Sequence, residues 1–156
     1  MAIYVTSDAH GHVRALDEAL SKLSLTSDDT LYVLGDMIDR GPDPVGVIKL
    51  VRSLPNARVL KGNHEQIMLD AIIGQDPLDA ETWDINGGWT TREQLNDMEF
   101  EAYEELVRWM AALPLYAVVE TEERPYLLVH AGIEMKAARA FLLEHGVDCA
   151  DGVGAV

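Results

Sequence analysis

The sequence predicts a single α/β domain in which helices flank a β-sheet core. Three times, a short apolar stretch rich in β-branched residues is followed by a segment with the periodicity of an amphipathic helix. Such β-α repeats form parallel sheets covered by helices. The chain has 156 residues, 48% of them hydrophobic, which is enough for one domain with a substantial core. We therefore treat residues 1–156 as one domain.

The three β-α units occupy the first half of the chain. In the first unit, Val13, Leu16, Leu20 and Leu23 have the spacing of one helix face, and the strand before them is apolar enough to be buried. Prolines separate the later units. The pattern predicts strands at residues 2–6, 30–34 and 57–60, followed by helices at residues 13–23, 45–54 and 65–73.

Residues 75–96 lack a clear period, and we expect an irregular lid or insertion there. Asn96, with Glu99 three residues later, has the spacing of a helix N-cap, and the helix that it opens ends before Pro114. Stretches 115–119 and 126–129 predict a hairpin that makes the sheet mixed. A last helix is expected at residues 135–143, closed by Gly146, with a flexible tail at 147–156.

Composition excludes several classes of partner. The formal net charge is -15 and the pI is near 4.5, which disfavours binding to nucleic acid or to an anionic membrane. Cys149 is the only cysteine, so an intrachain disulfide is impossible and a reducing compartment is expected. The N-terminus lacks the features of a signal peptide, and no apolar run approaches the roughly 18 residues of a membrane span. We expect a cytoplasmic protein, and the oligomeric state stays open.

Polar residues cluster where the predicted strands end. Because ligands of open α/β folds bind at the carboxyl edge of the sheet, these residues are expected to meet. Asp, Asn and His bind divalent metals, and two metals roughly 3.5 to 4 Å apart can share a hydroxide and hold phosphoryl oxygens. The clusters are Asp8-Ala9-His10, Asp36 to Arg40, Asn63-His64 and His130. Together they predict a metal-dependent phosphoester hydrolase with a metal-bound hydroxide as its nucleophile.

Each cluster taken alone has an ordinary structural explanation. Asp36 and Arg40 could be a surface pair at the start of a helix, and Asn63 could belong to a simple turn. Their joint position at strand ends favours the metal site. Asp36 is then the candidate bridging carboxylate. Asp8 and His10 share one face of an extended strand end, so they could bind one ion together.

The motifs also resemble those of a known family, the calcineurin-like metallophosphoesterases, and most closely its bacterial and phage serine/threonine phosphatase branch. The resemblance extends from Ile3 to Gly132. The motifs that carry it are Ser7-Asp8-Ala9-His10-Gly11, Gly35-Asp36-Met37-Ile38-Asp39-Arg40-Gly41-Pro42, Gly62-Asn63-His64-Glu65, Asn86-Gly87-Gly88 and His130-Ala131-Gly132.

This resemblance implies a role for each matching residue. His64 would be the general acid, with Asp39 as the carboxylate that stabilises its imidazolium. Arg40 would bind phosphate oxygens through its planar set of donors, and substrate would also contact Asn63 and His64. Two divalent metals are implied, Mn²⁺ first, with Fe or Zn²⁺ suiting the same ligands. The implied ligands are Asp8, His10 and Asp36 for the first metal, and Asp36, Asn63 and His130 for the second.

One family element is missing from the sequence. A further Gly-His motif follows the His-Ala-Gly motif in this family and supplies another ligand to the second metal, and none is evident after Gly132. We therefore expect the second metal to bind more weakly than the first. The chain is either a shortened or partial version of a longer enzyme, or a complete protein with a weakened second site.

The sequence leaves three functions open. Hydrolysis of phosphoserine or phosphothreonine in proteins is the first expectation. The alternative within the enzyme class is symmetrical hydrolysis of diadenosine tetraphosphate, in which Trp83 or Trp89 could stack on an adenine, although both could equally be packing residues. The third is a non-catalytic relative that binds metal or phosphate without turnover.

Overall fold

The computed structural model describes residues 1–74 and 76–144. In these residues it contains five strands and seven helices. Their order is β1 Ile3–Thr6, α1 Val13–Leu23, β2 Thr30–Val33, α2 Pro44–Ser53, β3 Ala57–Val59, α3 Asn63–Ile73, α4 Pro77–Ile85, α5 Trp89–Asn96, α6 Phe100–Ala111, β4 Tyr116–Val119, β5 Tyr126–Val129 and α7 Met135–Glu144.

The three β-α units form a parallel sheet, as predicted. Its strand order is β1-β2-β3, with Val5 opposite Tyr32 and Val33 opposite Val59. The central strand β2 is buried. The prediction that the first strand is buried is wrong, because β1 lies at an edge of this sheet and Val5 on it is 50% exposed. An apolar run alone does not distinguish an edge strand from a central one.

The core lies between β2 and the helices that follow the strands. Helix α1 contributes the two leucines of its buried stripe, and α2 contributes three fully buried side chains. The loop after β2 is also buried, and its residues Met37 and Ile38 belong to the core. The main core residues are Leu16, Leu20, Leu31, Val33, Met37, Ile38, Val47, Ile48, Val51, Met68 and Met110.

The prediction of an irregular lid at residues 75–96 is wrong. The segment folds into α4 and α5, which pack on the rest of the domain. Helix α4 begins where Asp76 accepts a hydrogen bond from the backbone N–H of Leu78, with Pro77 in the first turn. Few side chains of α4 are both apolar and buried, so its sequence shows only a weak helical spacing of apolar residues. Asn96 ends α5 instead of opening α6, which begins after Glu99.

The predicted hairpin forms, with β4 antiparallel to β5. It differs from the expected mixed sheet because, in the part of the chain that the structure describes, it is a separate two-stranded sheet. Strand β3 has only three residues, and beyond it the backbone N–H of Lys61 donates to the carbonyl of Pro114, at 2.8 Å. The predicted helix end at Gly146 and the tail at 147–156 lie outside the described residues. No helix in the described ranges is long and apolar enough to cross a membrane.

Candidate metal centre

The loops after β1 and β2 are joined to each other by backbone hydrogen bonds. The N–H of Asp8 donates to the carbonyl of Gly35 at 3.2 Å, and the N–H of His10 donates to the carbonyl of Asp36 at 2.9 Å. The N–H of Gly11 likewise donates to the carbonyl of Met37 at 2.9 Å. The two strand ends therefore carry their polar side chains as one unit.

Five residues predicted for the site adopt the left-handed backbone conformation that L-residues seldom adopt. Their φ angles are 58° for Asp8, 39° for His10, 54° for Asp36, 69° for Asp39 and 66° for Arg40. This conformation costs a non-glycine residue about 1 to 2 kcal/mol. Such strain concentrates at functional sites, where the surrounding structure maintains it. No sequence pattern indicated this feature.

Asp36 lies at the centre of the cluster and is only 3% exposed. Its Oδ2 is 3.7 Å from Nε2 of His10, and its Oδ1 is 3.4 Å from Nε2 of His130. Asp8 Oδ1 is 3.8 Å from the same His10 nitrogen. The structure therefore brings together carboxylates and imidazoles from the ends of β1, β2 and β5.

Two groups of side chains have ligand atoms close enough to hold an ion, within 4.8 Å of one another. One consists of His10, Asp36 and His64, and the other of Asp8, Asp36 and His130. Asp36 belongs to both, as expected of a bridging carboxylate. The other members differ from the predicted sets, because His64 and not Asp8 is grouped with His10, and Asp8 is grouped with His130. Asn63 is also in place, with its Oδ1 2.9 Å from Nε2 of His130. All five predicted metal ligands therefore meet in one cluster.

The hydrogen bonds of the two histidines fit metal binding. His10 Nδ1 is 2.9 Å from the carbonyl oxygen of Ile38, which only accepts, so Nδ1 carries the proton and the lone pair is on Nε2, the nitrogen nearest Asp36. His130 Nδ1 is buried and has no hydrogen-bond partner among the described residues. The other ring nitrogen, Nε2, faces Oδ1 of Asn63 at 2.9 Å and Oδ1 of Asp36 at 3.4 Å, so an imidazole nitrogen, an amide oxygen and a carboxylate oxygen converge as they would around a cation. The residues present therefore fit a pair of divalent cations.

His64 and Asp39 form a buried pair beside these ligands. His64 Nδ1 lies 2.7 Å from Oδ2 of Asp39, and both side chains are almost completely inaccessible to solvent. Arg40 donates from Nη2 to Nε2 of His64 at 2.8 Å. The predicted acid, His64, thus contacts both its carboxylate partner and the predicted phosphate-binding arginine.

Glu65 is a site residue to which the sequence analysis assigned no role. Its buried carboxylate accepts hydrogen bonds from the backbone N–H groups of Asp36, Met37 and Gly62, all at 2.8 Å. Burial raises the pKa of the Glu65 carboxyl, and the three N–H donors oppose that rise. Glu65 therefore fixes the loop that carries Asp36 to the start of α3. Its place in the Gly62-Asn63-His64-Glu65 motif was the only signal for it.

A family model described as calcineurin-like phosphoesterase matches residues 1–149. The chain belongs to this family. Membership in the calcineurin-like phosphoesterases confirms the predicted resemblance and the α/β fold class with a parallel sheet.

Several curated relatives of this calcineurin-like phosphoesterase are symmetrical bis(5'-nucleosyl)-tetraphosphatases. The protein from Erwinia tasmaniensis is 32% identical over 136 residues, which cover 85% of this chain and 45% of that protein. The protein from Salmonella paratyphi C is 31% identical over 163 aligned residues, covering 100% of this chain and 50% of that protein. The chain spans about half the length of the curated relatives it matches.

Solved structures share the same fold. A metallophosphoesterase from Sphaerobacter thermophilus is 27% identical, with a TM-score of 0.53 over 75% of this chain and 42% of that one. A protein serine/threonine phosphatase from Saccharomyces cerevisiae matches with a TM-score of 0.63 at 21% identity, over 85% of this chain and 38% of that one. At that identity the second likeness shows the fold alone.

Proposed function

We propose that this chain carries the catalytic centre of a metal-dependent phosphoester hydrolase. The proposal depends chiefly on Asp36, whose carboxylate oxygens lie 3.7 Å from His10 Nε2 and 3.4 Å from His130 Nε2. One carboxylate between two groups of ligands is what a pair of neighbouring divalent cations requires. Membership in the phosphoesterase family supports the same chemistry.

Asp36 would bind both cations. Asp8 and His10 would complete one site, and Asn63 and His130 would complete the other. When bound, the cations supply positive charge for the phosphoryl oxygens and make water a stronger acid. Mn²⁺ is our first expectation, and Fe or Zn²⁺ would suit the same oxygen and imidazole donors.

His64 would donate a proton to the leaving group in the form in which both ring nitrogens are protonated, once Arg40 no longer donates to Nε2 and binds phosphate instead. Its Nδ1 faces Asp39 at 2.7 Å, so Nε2 is the nitrogen on the side of the ligand cluster, 4.0 Å from Oδ2 of Asp36. During hydrolysis the oxygen of water bonds to phosphorus, and the bond from phosphorus to the leaving oxygen breaks. That oxygen takes the bonding electron pair and a proton from Nε2 of the imidazolium, while the attacking water loses a proton to solvent.

Arg40 would bind the phosphoryl oxygens. Its guanidinium lies beside the imidazoles of both His10 and His64 and donates to each of them. The planar set of N–H donors matches two oxygens of a phosphate group. Its side chain is exposed, so a substrate can reach it from solvent.

Dinucleoside tetraphosphates are the substrate class that we place first, ahead of phosphoproteins. Curated relatives at 31 to 33% identity carry the tetraphosphatase name, whereas the phosphatase likeness at 21% identity concerns the fold. Trp83 is buried and unavailable to an adenine, but Trp89 is 53% exposed and follows Gly87, whose carbonyl accepts from the backbone of Arg40. Trp89 is therefore the candidate for base stacking. A cytoplasmic location, without nucleic-acid or membrane partners, stays a prediction.

The catalytic proposal is tested by phosphate release from para-nitrophenyl phosphate with excess Mn²⁺. We expect turnover by the parent chain, and a loss of at least about a hundredfold in Asp36→Asn, because the variant removes a charge shared by both ion sites. Asp84→Asn is the control, since this carboxylate forms a surface ion pair with Arg92. Equal rates in all three proteins would contradict the proposal. Metal binding without turnover would indicate the non-catalytic alternative.

The substrate is tested by comparing diadenosine tetraphosphate with a phosphoserine peptide. Symmetrical cleavage yields two molecules of ADP, which chromatography separates from the asymmetric products. We expect ADP as the only nucleotide product, and a KM raised several-fold in Trp89→Ala for the dinucleotide but not for para-nitrophenyl phosphate. A higher kcat/KM for the phosphopeptide would instead indicate that the chain is a phosphoprotein phosphatase.

A further inference from the structure

The carboxylate of Asp39 is completely buried and accepts hydrogen bonds from two side chains of the α4–α5 segment. The hydroxyl of Thr91 donates to Oδ1 at 2.6 Å. The indole N–H of Trp83 lies 3.1 Å from Oδ1 and 3.2 Å from Oδ2. His64 Nδ1 approaches Oδ2 at 2.7 Å. Three donors therefore serve the two oxygens of this buried carboxylate, and the indole N–H is shared between them.

The direction of the Thr91 bond is fixed by its neighbours. Its Oγ1 accepts from the backbone N–H of Asp39 at 2.9 Å, so its single proton is free to point to Oδ1 of the same residue. Trp83 has a donor and no acceptor, so its bond can run only toward the carboxylate. Both residues are buried, and neither touches a predicted metal ligand in the bonds described above.

We propose that Thr91 and Trp83 are positioning residues, which hold the Asp39 carboxylate so that His64 presents Nε2 to the leaving group. This inference deepens the proposed function and depends on it for the role of His64. The α4–α5 segment is then a fixed part of the site. Backbone contact supports this, because the N–H of Arg40 donates to the carbonyl of Gly87 at 3.0 Å.

Gly88 shows how closely this segment fits around the indole. A Cβ atom at Gly88 would lie 2.2 Å from Cδ1 and 2.3 Å from Nε1 of Trp83. The indole ring is thus held between the backbone of Gly88 and the carboxylate of Asp39. Such close packing leaves Trp83 little freedom to turn its N–H away.

The variants that test this proposal are Thr91→Val, which removes the hydroxyl while keeping the shape, and Thr91→Ser, which keeps the hydroxyl. Thr90→Val is the matched control, because Thr90 is the adjacent buried threonine and its hydroxyl makes, among the described residues, a single long hydrogen bond of 3.4 Å to the carbonyl of Gly87. Trp83→Phe removes the second donor. Circular dichroism would establish that each variant is folded.

The kinetic readout is the dependence on leaving group. Phenyl phosphate releases a basic oxygen that needs a proton, whereas 2,4-dinitrophenyl phosphate does not. We expect Thr91→Val to lose about tenfold in kcat on phenyl phosphate and less than about threefold on the dinitrophenyl ester, with KM unchanged. Trp83→Phe should show the same selectivity. Thr91→Ser and Thr90→Val should keep the parent values.

A second readout does not require turnover. A hydrogen-bonded imidazole N–H that is shielded from water gives a downfield proton resonance, which His64→Gln would assign. We expect this resonance in the parent chain, Thr91→Ser and Thr90→Val, and its loss in Thr91→Val because the carboxylate is released.

The two readouts separate the two claims. Equal kinetic losses on both esters, with the resonance kept in Thr91→Val, would overturn the positioning role and leave the proposed function intact. The opposite result is a parent chain without turnover whose resonance is still lost in Thr91→Val. It would refute the proposed function, but Thr91 would still be shown to position Asp39.

Discussion

Arg40 donates a hydrogen bond from Nη1 to Nε2 of His10, at 3.0 Å. The imidazole nitrogen has one lone pair, and a guanidinium offers only donors. His10 Nδ1 already carries its proton toward the carbonyl of Ile38. Nε2 can therefore bind either Arg40 or a cation at one time.

This relationship predicts that removing the guanidinium strengthens metal binding. In Arg40→Met the competing donor and its positive charge are both absent, so we expect Mn²⁺ to bind about five- to tenfold more tightly, the equivalent of about 1 kcal/mol for an exposed charged hydrogen bond. Isothermal titration of the parent chain and the variant would measure it. Arg92→Met, which removes a surface guanidinium, should leave the affinity unchanged. Weaker binding in Arg40→Met would show that Arg40 does not compete.

Glu65 provides a second prediction, on stability. Glu65→Gln keeps the shape but turns an amide N–H₂ toward backbone N–H groups that need an acceptor, so at least one donor is left without a partner. We expect the free energy of unfolding to fall by about 2 to 3 kcal/mol, measured by urea denaturation. Glu104→Gln on the exposed side of α6 is the control and should change it little. A variant as stable as the parent chain would mean that the three bonds contribute nothing net.

The backbone conformation of Gly35 leads to a third prediction, on the stability of the loop that carries Asp36. The φ of Gly35 is 104°, and a Cβ there would lie 2.3 Å from the backbone nitrogen of Gly62, so Gly35→Ala forces two loops apart. We expect a loss of about 3 kcal/mol or more in stability, from the strained φ and the overlap together. Gly132→Ala is the matched control, since nothing lies within 4 Å of its added Cβ. Equal denaturation midpoints for the two variants would contradict this explanation.

The β-α units could be predicted because the signals for them are local. The helix over 13–23 and the strand over 126–129 have the predicted bounds, and the other strands begin or end within one residue of theirs. The spacing of apolar residues and the positions of the prolines indicate such elements directly. The site residues could be selected for a related reason. Strand ends of one sheet must meet at one edge, whatever the details of the loops.

The α4–α5 segment and the strained loops could not be predicted in the same way. Trp83 and Thr91 are buried where they donate to the carboxylate of Asp39, which lies 44 residues before Trp83 and 52 residues before Thr91 in the sequence. The spacing of apolar residues does not indicate contacts over such distances. The left-handed backbone at Asp36 and Asp39 runs against local preference and persists through contacts made elsewhere in the fold. Long-range polar contacts of this kind become visible only in the structure.

Asp29 allows a prediction about pH, at the end of the sheet remote from the site. Its carboxylate accepts from the N–H of Ala2 at 2.6 Å and from the N–H and hydroxyl of Thr26 at 3.0 and 2.9 Å. These bonds, that of Ala2 first, lower the pKa of Asp29. Because the folded state favours the charged form, this stabilisation is present at neutral pH and is lost as the pH falls below about 4, through the lowered pKa.

Asp29→Asn should therefore be less stable than the parent chain at pH 7, because the amide is uncharged and only its oxygen accepts, so its N–H₂ replaces an oxygen that accepts in the carboxylate. The difference in the free energy of unfolding should shrink as the pH is lowered from 5 toward 3, since the parent carboxylate becomes protonated and loses the same advantage. Urea denaturation at several pH values would follow it. Asp28→Asn, at the exposed neighbouring position, serves as the control. A difference that stays constant over this range would show that the charge of Asp29 does not stabilise the start of β1.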